Sequence, residues 1–461
     1  VENTPSSPAS EPSKTDAIAL VLTACIISGL LTYLVYSRSI VFGSEAGHWV
    51  YPYLSAPPLI PRWTVAAVLL MLGAFVFLGS RLIQSHEGIA LPALFLAAIL
   101  LQSLMRSIYP YSMGELVQGE GANSFYHPAM SYGAAEIISR FESLAESFPL
   151  HARSNMPGKI LLFELFELIT SSPEVMGYLV IVFSTLGALL LYGICKRLFH
   201  DRRIAFYALT LYVLLPGKLL FFPILNTVTP VFMLLCFYLF VIYLDNKHFL
   251  IPVLLGIALF ALVLFEPSPL IAGIVIGGIG LYEIREKKLS TRDLYRLLLY
   301  ASLAFLAMGL LFFVVFSFSL PHTFLRIWND ARMFNIVRGR GYGIWIIENS
   351  KEFFYAAGVP VMMIFIFMTV RILAEGSNPV RWSLENVYVI ALLVNFLVLL
   401  FLGINRGETT RLWIYLAALF QVPASILIAR AEKRGILMFL VACTLALQTM
   451  VTFHRMAFVS P

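Results

Sequence analysis

Thirteen runs of predominantly apolar residues recur along this chain, each near the roughly 17 to 25 residues that a helix needs to cross about 30 Å of hydrocarbon. They lie near 17–37, 63–83, 88–106, 174–195, 204–222, 228–244, 249–265, 270–284, 297–318, 352–371, 385–402, 412–430 and 436–453. In a bilayer core every backbone N–H and C=O must find its partner within the segment, so runs of this length fold as helices. A soluble fold would have to bury all thirteen in one core. Composition agrees with the membrane reading: 59% of the 461 residues are hydrophobic, 13% are Asp, Glu, Lys or Arg, and the mean hydropathy is +0.85. The sequence therefore predicts an all-α polytopic membrane protein with about thirteen transmembrane helices.

A formal charge of +6 would suggest nucleic acid in a soluble protein. Here the basic residues collect in short loops instead. With the N-terminus in the cytoplasm, "KRLFHDRR" (196–203), "DNK" (245–247), "EIREKKLSTRDLYR" (283–296) and "RAEKR" (430–434) all fall inside, as the positive-inside rule requires. No nucleic-acid partner is expected. Residues 1–16, rich in Ser, Pro and acid and lacking a basic n-region, read as a disordered cytoplasmic tail, which makes the first apolar run a retained helix. The chain has no Asn-x-Ser/Thr acceptor, which favours a bacterial inner membrane over an endoplasmic reticulum.

Cys25, Cys195, Cys236 and Cys443 sit inside or at the edges of apolar runs without paired spacing, so neither a disulfide nor a metal site is expected from them. No HxxxH or HExxH spacing supplies zinc ligands, and no Gly-x-Ser-x-Gly elbow supplies a serine nucleophile.

The same topology assigns three segments to the outer face: a long loop from 107 to 173, a second from 319 to 351, and a short turn at 403–411. Lysine is scarce in them. Their cations are mostly arginine: Arg153, Arg326, Arg332, Arg338, Arg340, Arg406 and Arg411. The planar guanidinium grips phosphate or carboxylate in bidentate fashion better than an ammonium does. The alternative is that these side chains snorkel to headgroups or pair with nearby acids. Within 107–173 two amphipathic stretches are expected to lie in the interface. One spans 132–148, with Ile137, Phe141, Leu144 and Phe148 at helical spacing; the other spans 160–169, with Leu161, Leu165 and Leu168 as its stripe. Pro149 and Pro157–Gly158 separate them.

A first outer loop with two interfacial helices, the "HARSNMPG" element (151–158), and a following helix that ends in a basic turn ("LLLYGICKRLFHDRRIAFYAL", 189–209) together resemble GT-C membrane glycosyltransferases. In pattern the chain is similar to the protein O-mannosyltransferases and the lipid A aminoarabinose transferases, where "HPPG" or "HPPL" often stands in place of "NMPG". The resemblance covers about 88–320. It makes 17–87 an N-terminal addition of two helices and 321–461 the variable C-terminal region.

That resemblance implies transfer of a sugar from a polyprenyl-phosphate donor, with inversion, to a hydroxyl of a lipid, glycan or protein on the extracytoplasmic face. No tightly bound cofactor is implied. The chemistry needs a carboxylate to accept the hydroxyl proton and cationic donors to stabilise the departing phosphate. In the family the base is an Asp soon after the first core helix, but 107–173 contains no Asp. Glu120, in "EGANSFYHPA", best matches the family's acid-then-Tyr pattern through Tyr126, and Glu115 is the second choice; Asn123 would otherwise stand at the Asp position, leaving Glu115 or His127 as base. A second family acid is replaced by Asn226 in "FPILNTVTP" (222–230). Because Asn neither acts as a base nor ligates metal strongly, a divalent metal is not expected. Glu266 in "FEPSP" is an alternative carboxylate, or simply a helix stop beside Pro267.

Arg338, Arg340, Arg406 and Arg411 are the expected phosphate-binding residues. Glu408 would orient Arg411, from which it stands three positions away on one helix face, or would merely pair with it. Gly339, Gly341 and Gly343 would let backbone amides approach an anion, and Tyr342 or Trp345 would pack on a sugar or prenyl chain. His151 and Arg153 flank the PG turn and would reach the same cavity. Two other functions stay open. A transporter or flippase of a lipid-linked saccharide would show internal repeats and intramembrane charges. A non-catalytic scaffold subunit would tolerate the missing Asp residues. Sugar, acceptor identity and oligomeric state are not encoded in these motifs.

Overall fold

The computed structural model describes residues 14–374 and 383–461. Of the expected tail, residues 1–13 lie outside the described residues, and the first helix already begins at Lys14, running to Tyr36. Ten helices among the described residues are long and apolar enough to cross a membrane. The count is eleven if the pair Tyr342–Ala357 and Val359–Ala374 forms one crossing. The runs expected at 249–265 and 412–430 form Leu250–Phe265 and Ile414–Arg430, of 16 and 17 residues. At about 1.5 Å per residue each covers roughly 25 Å, less than the hydrocarbon thickness. The run at 352–371 is not one helix. It breaks at Gly358 (φ +99°), where the two halves bend by 110°, and Pro360 follows two residues later.

The helices differ sharply in what they face. Every residue of Ile414–Arg430 from Ile414 to Ala429 is buried, and Arg202–Val213 is buried from Ile204 onward. These two pack on each other and form the centre of the bundle. Pro173–Phe199 packs against Arg202–Val213, Thr229–Asp245, Glu87–Arg106 and the short helix Met113–Gln118. At the periphery, Thr291–Phe316 buries only Leu297 and Ala301, while Leu298, Leu303, Leu306 and Leu310 stay exposed. An apolar helix with nearly every side exposed fits a lipid solvent and not water.

Some buried polar side chains inside the bundle are hydrogen-bonded across helices. Gln102 donates to Thr185 Oγ1 at 2.8 Å, and Gln448 donates to the Tyr355 carbonyl at 2.8 Å. The one sheet among the described residues is a two-residue hairpin, Gly43–Ser44 with Trp49–Val50.

The long segment 107–173 is a chain of short helices. Its first amphipathic stretch divides into Ala134–Ser139 and Phe141–Ala145, because Arg140 leaves the helical region at φ −116°, ψ 15°. Ile137, Phe141, Leu144 and Phe148 are all buried, as their spacing predicts. The second stretch forms Gly158–Glu167 but turns its leucine stripe outward: Leu165 and Leu168 are exposed, whereas Ile160, Phe163 and Phe166 are buried. The aromatic face wins the core because it buries more apolar surface than the leucines would.

Candidate functional site

Three segments far apart in sequence, 142–155, 326–340 and 404–412, enclose one cavity of about 800 Å³. Each belongs to one of the three arginine-bearing loops. Six arginines line it (Arg153, Arg326, Arg338, Arg340, Arg406 and Arg411), together with His151 and the carboxylates Glu142, Glu146, Asp330 and Glu408.

The helix Leu320–Val337 supplies one wall. Its Arg326 is held by Glu142 Oε2 at 2.7 Å and by Asp330, one turn on, at 3.4 Å. Gly339 takes φ +63° and ends the helix, so Arg338 and Arg340 leave it in different directions. Arg340 turns into the protein and Arg338 stays exposed. The amides of Gly339 and Arg340 bond back to Ile336 and Asn335 carbonyls at 3.1 and 3.0 Å. They close the helix terminus and are not presented to an anion, contrary to the expectation for Gly339.

Glu408 is the centre of the opposite wall. Its Oε1 accepts from Arg340 Nη2 at 3.3 Å, and its Oε2 accepts from Arg411 Nη2. Burial pushes its carboxyl up, but Arg411 and Arg340 outweigh that effect and hold it below the usual carboxylate range. Glu408 also sits in the left-handed region at φ 61°, ψ 21°, a conformation that costs a non-glycine residue about 1–2 kcal/mol. Its neighbours impose it. Gly407 N donates to Asn349 Oδ1 at 3.0 Å, Thr409 Oγ1 donates to Glu352 Oε2 at 3.1 Å, and Asn335 Nδ2 holds the Ile404 carbonyl at 2.7 Å. Gly407 has φ +92°, and a Cβ there would stand 2.8 Å from Trp345 Cη2. Only glycine therefore fits between the turn and that indole. Arg406 Nη1 donates to the Arg340 carbonyl at 2.7 Å, and Arg340 Nη1 returns a bond to the Arg406 carbonyl.

His151 lines the same cavity from the helix Leu150–Arg153. Burial, reinforced by Arg411 and Lys159, lowers its pKa to about 4, so the imidazole is neutral at pH 7. Seven residues on, Gly158 lets the chain approach the end of Leu250–Phe265 so closely that a Cβ would fall 2.5 Å from the Leu264 carbonyl oxygen. That approach seats Lys159 beside Glu266. Their 2.9 Å ion pair is buried, with side chains 2% and 9% exposed. Thr229 and Ser268 donate to Glu266 at 2.7 and 2.8 Å, and Asn226 Nδ2 donates at 3.3 Å. Burial depresses the Lys159 pKa despite Glu266, while Lys159 overcomes burial to keep Glu266 ionised. The polar residues that the sequence argument missed include Lys159, Glu352 and the cavity carboxylates Glu142, Glu146 and Asp330. The signal for Lys159 was its place directly after the PG turn.

The structure thus gathers Arg338, Arg340, Arg406, Arg411, Glu408, His151 and Arg153 around one cavity, and puts the other expected residues elsewhere. Glu115 closes a capping box with Ser112: Ser112 N donates to its Oε2 at 2.7 Å, and its own N–H donates to Ser112 Oγ at 3.1 Å. Glu120 begins the short helix Glu120–Asn123. Neither lines the cavity. Asn123 is buried and donates to the Leu116 and Pro223 carbonyls at 3.3 and 3.2 Å, a structural role. His127 Nε2 meets the Gln118 carbonyl at 3.0 Å, and Tyr126 packs edge-on against Phe163. Asn226 and Glu266 belong to the buried hub around Lys159. Tyr342 donates to the Phe401 carbonyl at 2.7 Å with Arg406 over its ring, and Trp345 is buried beneath Arg340. Neither aromatic lines the cavity. Among the described residues no group of three or more His, Cys, Asp or Glu is arranged to hold a metal ion.

No protein-family model matches the chain, and a search of curated proteins gives no match.

Proposed function

We propose that this protein is a membrane glycosyltransferase of the GT-C kind, which moves a sugar from a polyprenyl-phosphate donor to a hydroxyl acceptor at the arginine-lined cavity. The observation that carries this reading is the convergence of six arginines from three separate loops. Two of them, Arg153 and Arg338, are exposed and have no ion-pair partner among the described residues. They are free to neutralise a phosphate, while Arg340 and Arg411 are held rigid by Glu408. The distribution of the basic loops supports an extracytoplasmic cavity, and the lack of an Asn-x-Ser/Thr acceptor supports a bacterial inner membrane.

In the transfer, the acceptor oxygen forms a bond to the anomeric carbon from the side opposite the phosphate. The C–O bond to phosphate breaks, and its electron pair leaves on the phosphate, whose charge Arg338 and Arg153 meet. The hydroxyl proton passes to a carboxylate. Of the four that line the cavity, Glu142, Asp330 and Glu408 are engaged by arginines, whereas Glu146 is exposed and makes no ion pair among the described residues. Glu146 takes the role that the family pattern suggested for Glu120 or Glu115.

The test is transfer by purified protein in nanodiscs supplied with radiolabelled polyprenyl-phosphate sugars and extracted acceptors. Wild type should transfer label, and Glu146→Gln should slow transfer by about 10²–10⁴-fold. If wild type neither transfers nor hydrolyses sugar while labelled lipid changes leaflet, the protein is a transporter and the proposal fails.

A further inference from the structure

A second, smaller cavity of about 140 Å³ lies where Glu87–Arg106 ends and Pro173–Phe199 begins. It shares no residue with the arginine-lined cavity. Arg106, 4% exposed, lies at its floor; Glu174 and Tyr178 form one side, and Tyr109 and Tyr111 another. Tyr178 is 43% exposed and Ser107 is also exposed, so the cavity opens outward at a helix end, the level where tyrosines collect at a membrane–water boundary.

Two opposite charges line this small space without pairing. Arg106 donates Nε to the Phe222 carbonyl at 3.0 Å and Nη2 to the Tyr111 carbonyl at 3.1 Å, and its guanidinium lies 4.6 Å over the Tyr109 ring. Its Nη1 makes no hydrogen bond among the described residues. Glu174 Oε2 accepts from Gly114 N, which leaves Oε1 uncommitted. A buried cation and a carboxylate that border one cavity, yet stand too far apart to bond, suit a ligand that carries both charges.

The geometry points to a binding site for a zwitterionic phospholipid headgroup, a phosphoethanolamine. The phosphodiester meets Arg106 Nη1, the guanidinium nitrogen without a hydrogen bond among the described residues. The ammonium meets Glu174 and the face of a tyrosine, as cations bind aromatic rings. The acyl chains leave past Tyr178 into the bilayer. This site does not depend on glycosyl transfer.

The full-length protein in detergent, delipidated and titrated with short-chain phosphatidylethanolamine or phosphatidylglycerol, tests it by native mass spectrometry. Wild type should prefer phosphatidylethanolamine by about tenfold, the equivalent of one modest ionic contact. Glu174→Gln keeps a carbonyl acceptor for Gly114 and should abolish that preference without reducing phosphatidylglycerol binding; Tyr178→Ala should weaken phosphatidylethanolamine alone. Equal binding of the two lipids by wild type would overturn the site, as would a preference that survives in Glu174→Gln. Free glycerophosphoethanolamine should compete only weakly. Competition as strong as that of the lipid would replace the lipid with a soluble ligand and overturn the assignment.

Discussion

Arg340 and Glu408, 68 residues apart in sequence, pair with Nη2 3.3 Å from Oε1 and side chains only 6% and 17% exposed. The contact joins the link after Leu320–Val337 to the turn before Ile414–Arg430, so it fixes how two walls of the cavity stand to each other. Removing Glu408 alone strands two largely buried guanidiniums. Glu408→Ala should destabilise the protein by about 3–5 kcal/mol, as breaking a buried pair does. In thermal unfolding in detergent, a double-mutant cycle with Arg340→Ala should return a coupling of about 1–3 kcal/mol. Additive losses would mean that the pair is incidental.

Lys159 and Glu266 make the more deeply buried pair, and here the two partners are not equivalent. Glu266 has three other hydrogen-bond donors, Thr229, Ser268 and Asn226, whereas Lys159 has, among the described residues, only the Asn155 Oδ1 acceptor besides. Lys159→Met removes the counter-charge of a buried carboxylate and should cost about 3 kcal/mol, the low end for breaking a buried pair because the three donors remain. Adding Glu266→Gln removes that charge but keeps an acceptor for the hydroxyls. The double variant should unfold at a higher temperature than Lys159→Met alone.

His151 gives the site a pH signature. Its folded pKa of about 4 lies below the ordinary 6.5, so the folded state resists protonation. Stability that is fully present above about pH 6.5 is lost as the pH falls toward 4. Because the ring borders an open cavity and water screens it, the loss should be on the order of 1–2 kcal/mol. His151→Gln should flatten the melting temperature between pH 6.5 and 4.5 relative to wild type. An anion seated among the arginines should raise the His151 pKa, seen as an NMR titration shifted upward when inorganic phosphate is added.

Length and hydropathy made ten of the thirteen expected crossings legible; two of the other runs form helices shorter than a span and the third is bent, while the preference for arginine over lysine made the three cavity-lining segments legible. Their convergence was not, because nothing local links Arg340 to Arg406 or His151 to Arg411. The break at 352–371 was written as Gly358-Val359-Pro360, but an apolar run of spanning length hides its own interruption. Glu115 was readable as a cap, since "SMGE" (112–115) has the Ser-x-x-Glu form of a capping box. Reading it as a base gave a family pattern precedence over local helix chemistry. Lys159 and Glu266 each stand beside a turn proline or glycine, where a lone ionisable residue looks like a helix stop. Only the close approach at Gly158 shows that they meet.

The most direct test of the central claim maps the donor's phosphate on the protein. A polyprenyl phosphate with a photoactivatable group next to its phosphate would be cross-linked to the full-length protein in nanodiscs and the adducts located by mass spectrometry. The account predicts adducts within 142–155, 326–340 and 404–412, reduced at least severalfold by Arg153→Ala with Arg338→Ala. Adducts spread along lipid-facing helices such as Thr291–Phe316, and unchanged in that double variant, would contradict it.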